Sequence, residues 1–391
     1  MNTGAGKRVK PLYMDKNLHI IFGIALMVVL GVSSISPALP DVARGLNITE
    51  QETALLITVF TLPGIFLIPV LGFLADRLGR KQVLVPSLLL FALAGTACGF
   101  VRDFDLMLVL RFLQGAGAAS LGTLIVTVIG DLYSGKDRAA AIGLNESALS
   151  LGEAIFPFIG GSLALLGWYY PFFLPIIALP LAIMVMFWLD VPGFKQDRLF
   201  RDYVKNALMI VRNRRVAGLF MASIITFIIH FGVAQTYFPF LMKAYFQASS
   251  FVIGLIMTVM FLTAALTASQ VGNLVERVTE RTLLKTAYII YAVALITIPL
   301  SPSVWILLLP AVMYGIAQGI NIPSFITILT NLAPTEYRAG FLSINWTVIK
   351  FGQTIGPVLM GLVLGFGGIG SVFFAGALFA IFMFFVVVLL I

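Results

Sequence analysis

Charge is scarce in this chain of 391 residues: Asp, Glu, Lys and Arg make up 11% of it, against roughly 25% in soluble domains. Water is therefore excluded as the solvent for most of its surface. Cysteine is nearly missing, and the single Cys98 rules out an intrachain disulfide or a cysteine metal cluster. Histidine is limited to His19 and His230. No GxxxxGK[ST], HExxH or His/Cys cluster occurs, so the residues supply no signature of an enzyme and no metal or organic cofactor is expected.

What the chain does have is oil. Hydrophobic residues reach 60%, and mean hydropathy is +1.03. Apolar runs of about 20 residues, enough to cross roughly 30 Å of hydrocarbon as helix, recur twelve times: 18–40, 52–75, 82–101, 105–128, 138–164, 168–190, 216–242, 250–275, 282–301, 303–330, 337–365 and 369–391. Lys7, Arg8, Lys10 and Lys16 give the start the basic character of a signal peptide, but Ser36-Pro37-Ala38-Leu39-Pro40 follows a full-length span with no cleavage site, so the first helix is expected to stay. The net charge of +8 does not imply nucleic acid, because 20 of the 25 Lys and Arg fall on one side of the alternating spans. Arg44, Arg102 and Lys243 fall on the other side, and Arg111 and Lys350 lie within spans. That bias orients a multi-pass chain in a cell membrane with both termini cytoplasmic.

Sliding the sequence by 200 positions aligns GFLADRLGRKQVL (72–84) with GNLVERVTERTLL (272–284) without a gap. The register continues through Gly115/Gly315, Arg138/Arg338, Asn145/Asn345, Gly152/Gly352, Pro157/Pro357 and Gly161/Gly361. An even repeat of six spans gives two parallel copies related about the membrane normal, with a cavity between them. The expected organisation is an N-terminal half (1–190), a linker (191–215) and a C-terminal half (216–391). The linker mixes Lys195, Arg198, Arg201, Lys205, Arg212, Arg214 and Arg215 with apolar residues. It reads either as an amphipathic segment on anionic headgroups or as a plain solvated connection.

The stretch GFLADRLGRKQVL resembles the loop between helices 2 and 3 of the major facilitator superfamily, with Gly72, Asp76, Arg77, Gly79, Arg80 and Lys81 on the signature positions. LGVSSISPALP (Gly31, Pro37, Pro40) and RFLQGAGAA (Arg111, Gln114, Gly115, Gly117) extend the likeness to spans one and four. In span five, Gly143, Gly152, Pro157, Gly160 and Gly161 resemble the antiporter signature of twelve-helix drug:proton exporters, departing from it where Phe156 replaces the glycine before the proline. Gly356-Pro357 supplies the intact pair in span eleven. The resemblance implies an all-helical membrane fold of two six-helix pseudo-repeats, alternating access, proton-coupled efflux of lipophilic drugs or amphiphiles, and a monomer in a prokaryotic plasma or inner membrane. It also implies that Asp76 meets the N-terminal end of helix 11, near Arg338, when the cytoplasmic side closes; Glu276 and Arg277 repeat the acid and first base of that gate. With no nucleotide-binding motif, the energy comes from an ion gradient, and the expected coupling ion is H+.

Charge inside hydrocarbon is expensive and marks function by default. Arg111, Glu146, Glu153 and Lys350 are the four such residues. Glu146 and Glu153 are seven apart and share a helical face with Ser150 and Pro157, opposite Leu144, Leu151, Ile155 and Phe158. Lys350 shares its face with Trp346, Gln353 and Thr354, and the offset puts Glu146 on Trp346 and Glu153 on Gln353. The resemblance, which sets helices 5 and 11 on different sides of the cavity, implies an acidic wall and a basic wall. A carboxyl taken out of water holds its proton more readily, so Glu153, deeper than Glu146, is the first candidate for proton coupling. The competing reading pairs a glutamate permanently with Arg111 or Lys350. Arg111 either tunes a carboxylate or lines the cavity, and Lys350 either binds an anionic group or exchanges salt bridges. His230 is either a titrating group or a satisfied donor. Tyr237, Tyr314, Gln318, Asn321, Asn145, Trp346 and Gln353 are candidates for a substrate lining, and Asp41 belongs to the outer mouth. The alternatives in function are a facilitator or symporter of a small polar or anionic solute, and a lipid translocase or receptor on the same scaffold.

Overall fold

The computed structural model describes residues 15–191, 214–332 and 338–390, with the backbone alone described for 338–343. All regular structure among them is helical, the form in which each backbone group finds its partner without water. The helices are α1 (Lys16–Leu46), α2 (Glu50–Leu78), α3 (Arg80–Cys98), α4 (Phe104–Leu132), α5 (Gly135–Ala164), α6 (Tyr170–Trp188), α7 (Arg214–Phe246), α8 (Ser250–Val275), α9 (Glu280–Thr297) and α10 (Leu308–Leu332). Arg338–Leu390 is broken at Gly368, whose φ of 74° suits only a residue without Cβ. The break separates α11 (338–367) from α12 (369–390). Among the described residues ten stretches are long and apolar enough to cross a membrane, and the longest, Ile344–Leu390 with 47 residues, is two crossings. With α9, whose first turns carry Glu280, Arg281 and Lys285, the crossings number twelve.

Helix ends differ from the apolar runs because a helix outlasts the hydrocarbon wherever a cap satisfies its last groups. α1 runs past 40 to Leu46 through a 3-10 turn at Ser36–Ala38, and α7 continues to Phe246. Asn47 (φ 54°) and Gln247 (φ 50°) close them in the left-handed conformation, at the same offset of 200 seen in the sequence. Thr49 and Ser249 then cap α2 and α8 with their side chains. Between α2 and α3 the reversal is the single residue Gly79 (φ 113°). The second copy has Thr279 there, which caps α9 after a longer turn. Gly72, on the first signature position, lies inside α2 with open space beside it, so Gly79 alone makes the turn.

α5 exposes two stripes. Leu144, Leu151, Ile155 and Phe158 form an apolar one. Gly143, Glu146 and Ser147 form a polar one, turned about a quarter of the way round the helix from it. An apolar stripe suits lipid and a polar one needs water, so the bundle must contain an aqueous opening. The two halves meet chiefly along α5 with α8 and α2 with α11. Small residues make the first contact possible: a Cβ on Gly254 would stand 2.3 Å from the Pro157 carbonyl oxygen, and one on Gly161 would stand 2.3 Å from that of Ser250. The polar contacts between halves are Ser36 Oγ to Gln235 Oε1 (2.7 Å), Gln235 Nε2 to Ser33 Oγ (3.2 Å), Thr58 Oγ1 to the Thr354 carbonyl (3.2 Å), Thr354 Oγ1 to Thr61 Oγ1 (2.9 Å), Glu153 with His230, and Ser250 Oγ to Asp41. All lie between the middle of the bundle and the end holding the α1–α2 and α7–α8 turns.

At the opposite, basic end the stitching stays within a half. Lys16 pairs with Asp190 at 2.6 Å, Tyr133 donates to Asp15 at 2.9 Å, and Arg80 joins Asp76 to Asp131. The hydrogen bond and charge of Lys16 hold the Asp190 carboxyl below its ordinary range. Lys81 reaches the Met186 carbonyl (3.4 Å) at the end of α6, and Arg281 reaches that of Val388 (2.7 Å) near the end of α12, each a cation on a helix C-terminus. Among the described residues none of these contacts joins the halves. Among the described residues the polar contacts between halves therefore gather from the middle of the bundle toward one end.

Enlarging the seam should shift this balance. In a Cys98→Ala background, Gly254→Leu is expected to raise labelling of a cysteine introduced as Ser36→Cys by a membrane-impermeant maleimide added from the closed end. Unchanged labelling would show that close approach at Gly254 does not hold that end shut.

Candidate functional site

The opening ends at two polar contacts near the middle of the bundle. On one side, Glu153 of α5 meets His230 of α7 at 2.6 Å, across the halves. His230 is buried, with Phe227, Phe231 and Phe261 ringing it at 6.2, 5.2 and 5.4 Å between centroids. It lies in a π-helical stretch, Ile228–Tyr237, a local widening of the helix that often accompanies functional positions. Glu153 is partly exposed, so the pair has one face to the opening and one to aromatic packing.

On the other side is Lys350 of α11. Its stem crosses α2 at Gly64, where a Cβ would come within 2.9 Å of the lysine Cδ. The ammonium gives one hydrogen bond, to Gln353 Oε1 at 2.8 Å, and has no carboxylate partner among the described residues. One turn further toward the closed end, the hydroxyls of Thr354 and Thr61 join α11 to α2.

Arg111 has a different fate from either reading of it. It is buried at 1% exposure, donating to the carbonyls of Leu56 (3.0 Å) and Gly31 (2.9 Å) and to Gln114 Oε1 (2.6 Å), with its guanidinium 4.4 Å from the Phe60 ring centroid. It clamps α1, α2 and α4 and neither touches a carboxylate nor lines the opening. Permanent pairing of a glutamate with Arg111 or Lys350 is likewise not what the structure holds.

The expected substrate lining divides. Tyr237, Tyr314, Gln318, Asn321 and Asn145 are each at most 3% exposed and cannot wall an open space. Tyr237 donates to the Pro357 carbonyl (3.3 Å), Thr226 of α7 donates to Asn321 Oδ1 (2.9 Å), and the Tyr314 ring packs 5.0 Å from that of Tyr291. These residues brace the interior of a half. Their polarity is what sequence showed; whether a polar face turns toward its own half or toward the opening depends on helix rotation. Gln353 is buried beside Lys350, and Trp346, half-buried, precedes it by one turn. The Glu153–His230 pairing was invisible in sequence, since 153 and 230 share neither a helix nor the offset of 200.

For the gate, Asp76 is paired with Arg80, Arg77 lies over the Phe73 ring at 4.8 Å, and Glu276 and Arg277 are exposed. The Arg338 side chain, and linker residues 192–213, lie outside the described residues. At the closed end Asp41 joins Arg44 and Ser250 beside a surface cavity of about 520 Å³ also lined by Trp168 and Lys243. Of the antiporter-like residues, Gly160 packs on α1 at Ser34, Gly161 on α8, Gly356 on α7, and Gly143 faces open space.

Two six-helix halves, joined at one end and parted at the other around intramembrane charges, define the scaffold of a secondary membrane transporter. A family model described as Major Facilitator Superfamily matches residues 21–245 and again 219–391. The chain belongs to that superfamily, and the double match reproduces its internal repeat. It is similar to the bacillibactin exporter of Bacillus subtilis (strain 168), 35% identical over 164 residues, which are 40% of this chain and 41% of the exporter. It is also similar to multidrug resistance protein 2 of the same organism, 26% identical over 364 residues and 90% of each chain. Among solved structures, the nucleoside transporter NupG shares the fold with a TM-score of 0.79 at 15% identity, over 96% of this chain and 99% of that one.

The clamp reading of Arg111 has a stability consequence. Arg111→Leu leaves the Leu56 and Gly31 carbonyls without their donor, at about 1–3 kcal/mol each. The thermal midpoint of the purified protein is expected to fall by several degrees, while Glu146→Gln, at an exposed position, leaves it in place. An unchanged midpoint in Arg111→Leu would refute the clamp.

Proposed function

We propose that this transporter exports lipophilic or amphiphilic small molecules against protons, and that the Glu153–His230 pair is the coupling element. One observation carries the reading: the sole carboxylate–imidazole contact among the described residues joins the two halves at the floor of the opening. A proton added to or taken from this pair changes its charge inside a ring of phenylalanines, where charge is costly. The proton count therefore bears directly on whether the halves stay together at that level. Glu146, nearer the basic end on the same stripe of α5, is the second proton site.

The positive-inside bias makes the basic end cytoplasmic, so the state described is inward-facing, with both termini in the cytoplasm. In the cycle, substrate enters from the cytoplasm as the pair releases a proton inward, and protonation from outside resets the carrier. The relatives named as a multidrug resistance protein and a bacillibactin exporter, both from Bacillus subtilis, support export across a prokaryotic plasma membrane. The functional unit is a monomer, with 1–190 and 216–391 as its moving halves and 191–215 as a cytoplasmic linker on the lipid surface. Asp76, held by Arg80 here, serves as a latch by moving to the N-terminus of α11 when the cytoplasmic side closes. A second reading, uptake or facilitated passage of an anionic solute, is favoured by the unpaired Lys350.

In proteoliposomes, ethidium movement driven by an imposed pH gradient is expected for the wild type, lost in Glu153→Gln and strongly reduced in His230→Gln. Full coupling retained in both Glu146→Gln and Glu153→Gln would overturn the proton assignment, and gradient-independent movement of anions would favour the second reading. For the latch, Asp76→Asn is expected to slow the same transport more than Glu276→Gln; equal effects would count against it.

A further inference from the structure

The cation on the floor of the opening has no part in the proton scheme. Lys350 spends one of its three N–H donors on a neutral amide oxygen, Gln353 Oε1 at 2.8 Å, and is offered no carboxylate by any described residue. A lone ammonium at membrane depth is costly unless something anionic or aqueous meets it. Its position is built: Gly64 of α2 has no side chain where the lysine stem passes, and a Cβ there would meet Cδ at 2.9 Å and Cγ at 3.0 Å. The Thr354–Thr61 bond closes the seam one turn beyond, and Lys350 itself is only partly buried.

Its surroundings specify the ligand further. Trp346, one turn toward the open end on the same face of α11, is half-buried and offers an aromatic surface beside the cation. By the offset of 200 that relates the parallel halves, Lys350 stands level with Ser150, four residues or about 6 Å deeper than Glu146 on the facing helix. Opposite charges thus stand within about one helical turn of each other on different walls.

We propose that Lys350, with Trp346 and Gln353, is a subsite for the carboxylate of an aromatic amphiphile, and that the favoured cargo is an aromatic acid or zwitterion whose amine points toward Glu146. This rests on the export reading above and names its substrate class. An ammonium–carboxylate hydrogen bond is among the stronger ones available to a ligand, and the aromatic ring of the same molecule stacks on Trp346.

The test is equilibrium binding by calorimetry, at fixed pH 7 and without a gradient, to the full chain in phosphatidylcholine nanodiscs. The probes share one ring system: 3-(2-naphthyl)propionate, 2-naphthylalanine, and the cationic methyl ester of 2-naphthylalanine. The wild type is expected to bind the two acids at least about tenfold more tightly than the ester, the scale of one charge-assisted hydrogen bond. Lys350→Gln should abolish that preference while leaving the ester within about twofold, and Lys350→Arg should keep it. The unchanged ester shows that Lys350→Gln is folded. Equal weakening of all three ligands, an ester bound as tightly as the acids, or no binding of either acid would overturn the subsite. Adding phosphatidylglycerol should leave the acid affinity in place; competition by it would assign Lys350 to a lipid headgroup and overturn the cargo reading. Binding needs no proton coupling, so a failed pH-driven transport assay with these preferences intact would count against the export reading alone.

Discussion

Hydrocarbon gives a charged side chain nothing to bond to, and the four intramembrane charges have met that constraint in separate ways. Arg111 is neutralised by dipoles, taking two backbone carbonyls and an amide oxygen from three helices. Glu153 takes a histidine from the other half. Glu146 and Lys350 have no charged partner among the described residues: Lys350 holds the Gln353 amide oxygen and is partly buried, and Glu146 is exposed. The cavity is thus a requirement of the charges as much as of any cargo, since without water or a ligand between the halves these two groups would be stranded.

The same constraint divides the molecule into parts that hold and parts that give. Inside the N-terminal half, charged groups stitch the basic end through Lys16–Asp190 and the Asp76–Arg80–Asp131 chain. Between the halves the contacts are mostly hydroxyls and amides, Ser33, Ser36, Gln235, Thr58, Thr61 and Thr354, with glycines setting the distance. A neutral hydrogen bond contributes about 0.5–1.5 kcal/mol net, so such a seam can be exchanged for water and for a new seam at the other end. Glu153–His230 is the exception, a contact in which both partners are ionisable.

Much of this was legible in sequence. Twelve apolar runs, the offset of 200 and the opposed stripes of α5 follow from composition and period, because hydropathy and helical phase are local properties. Helix ends were less legible, since α1 and α7 run on to caps at Asn47 and Gln247 that polarity alone does not reveal. The rotation of α10 was not legible at all. Tyr314, Gln318 and Asn321 present the polarity of a cavity wall yet pack within their half, because a membrane helix in a bundle has two polar directions available and only packing chooses between them. The partners of Arg111 were equally illegible, because backbone carbonyls as acceptors leave no trace in a sequence.

The internal repeat separates what the fold needs from what the cargo needs. Where the two copies match, the positions do structural work. Asn47 and Gln247 close helices in the left-handed conformation, Thr49 and Ser249 cap the next ones, and Lys81 and Arg281 hold the ends of α6 and α12. Where they diverge, the positions border the opening: Glu146 against Trp346, Ser150 against Lys350, Glu153 against Gln353. A scaffold of two equal halves would present a symmetric cavity with no preferred orientation for a ligand or a proton. By placing acid on α5 and a cation with an aromatic ring on α11, the chain breaks that symmetry at the middle of the bundle, and so gives the two walls opposite charge.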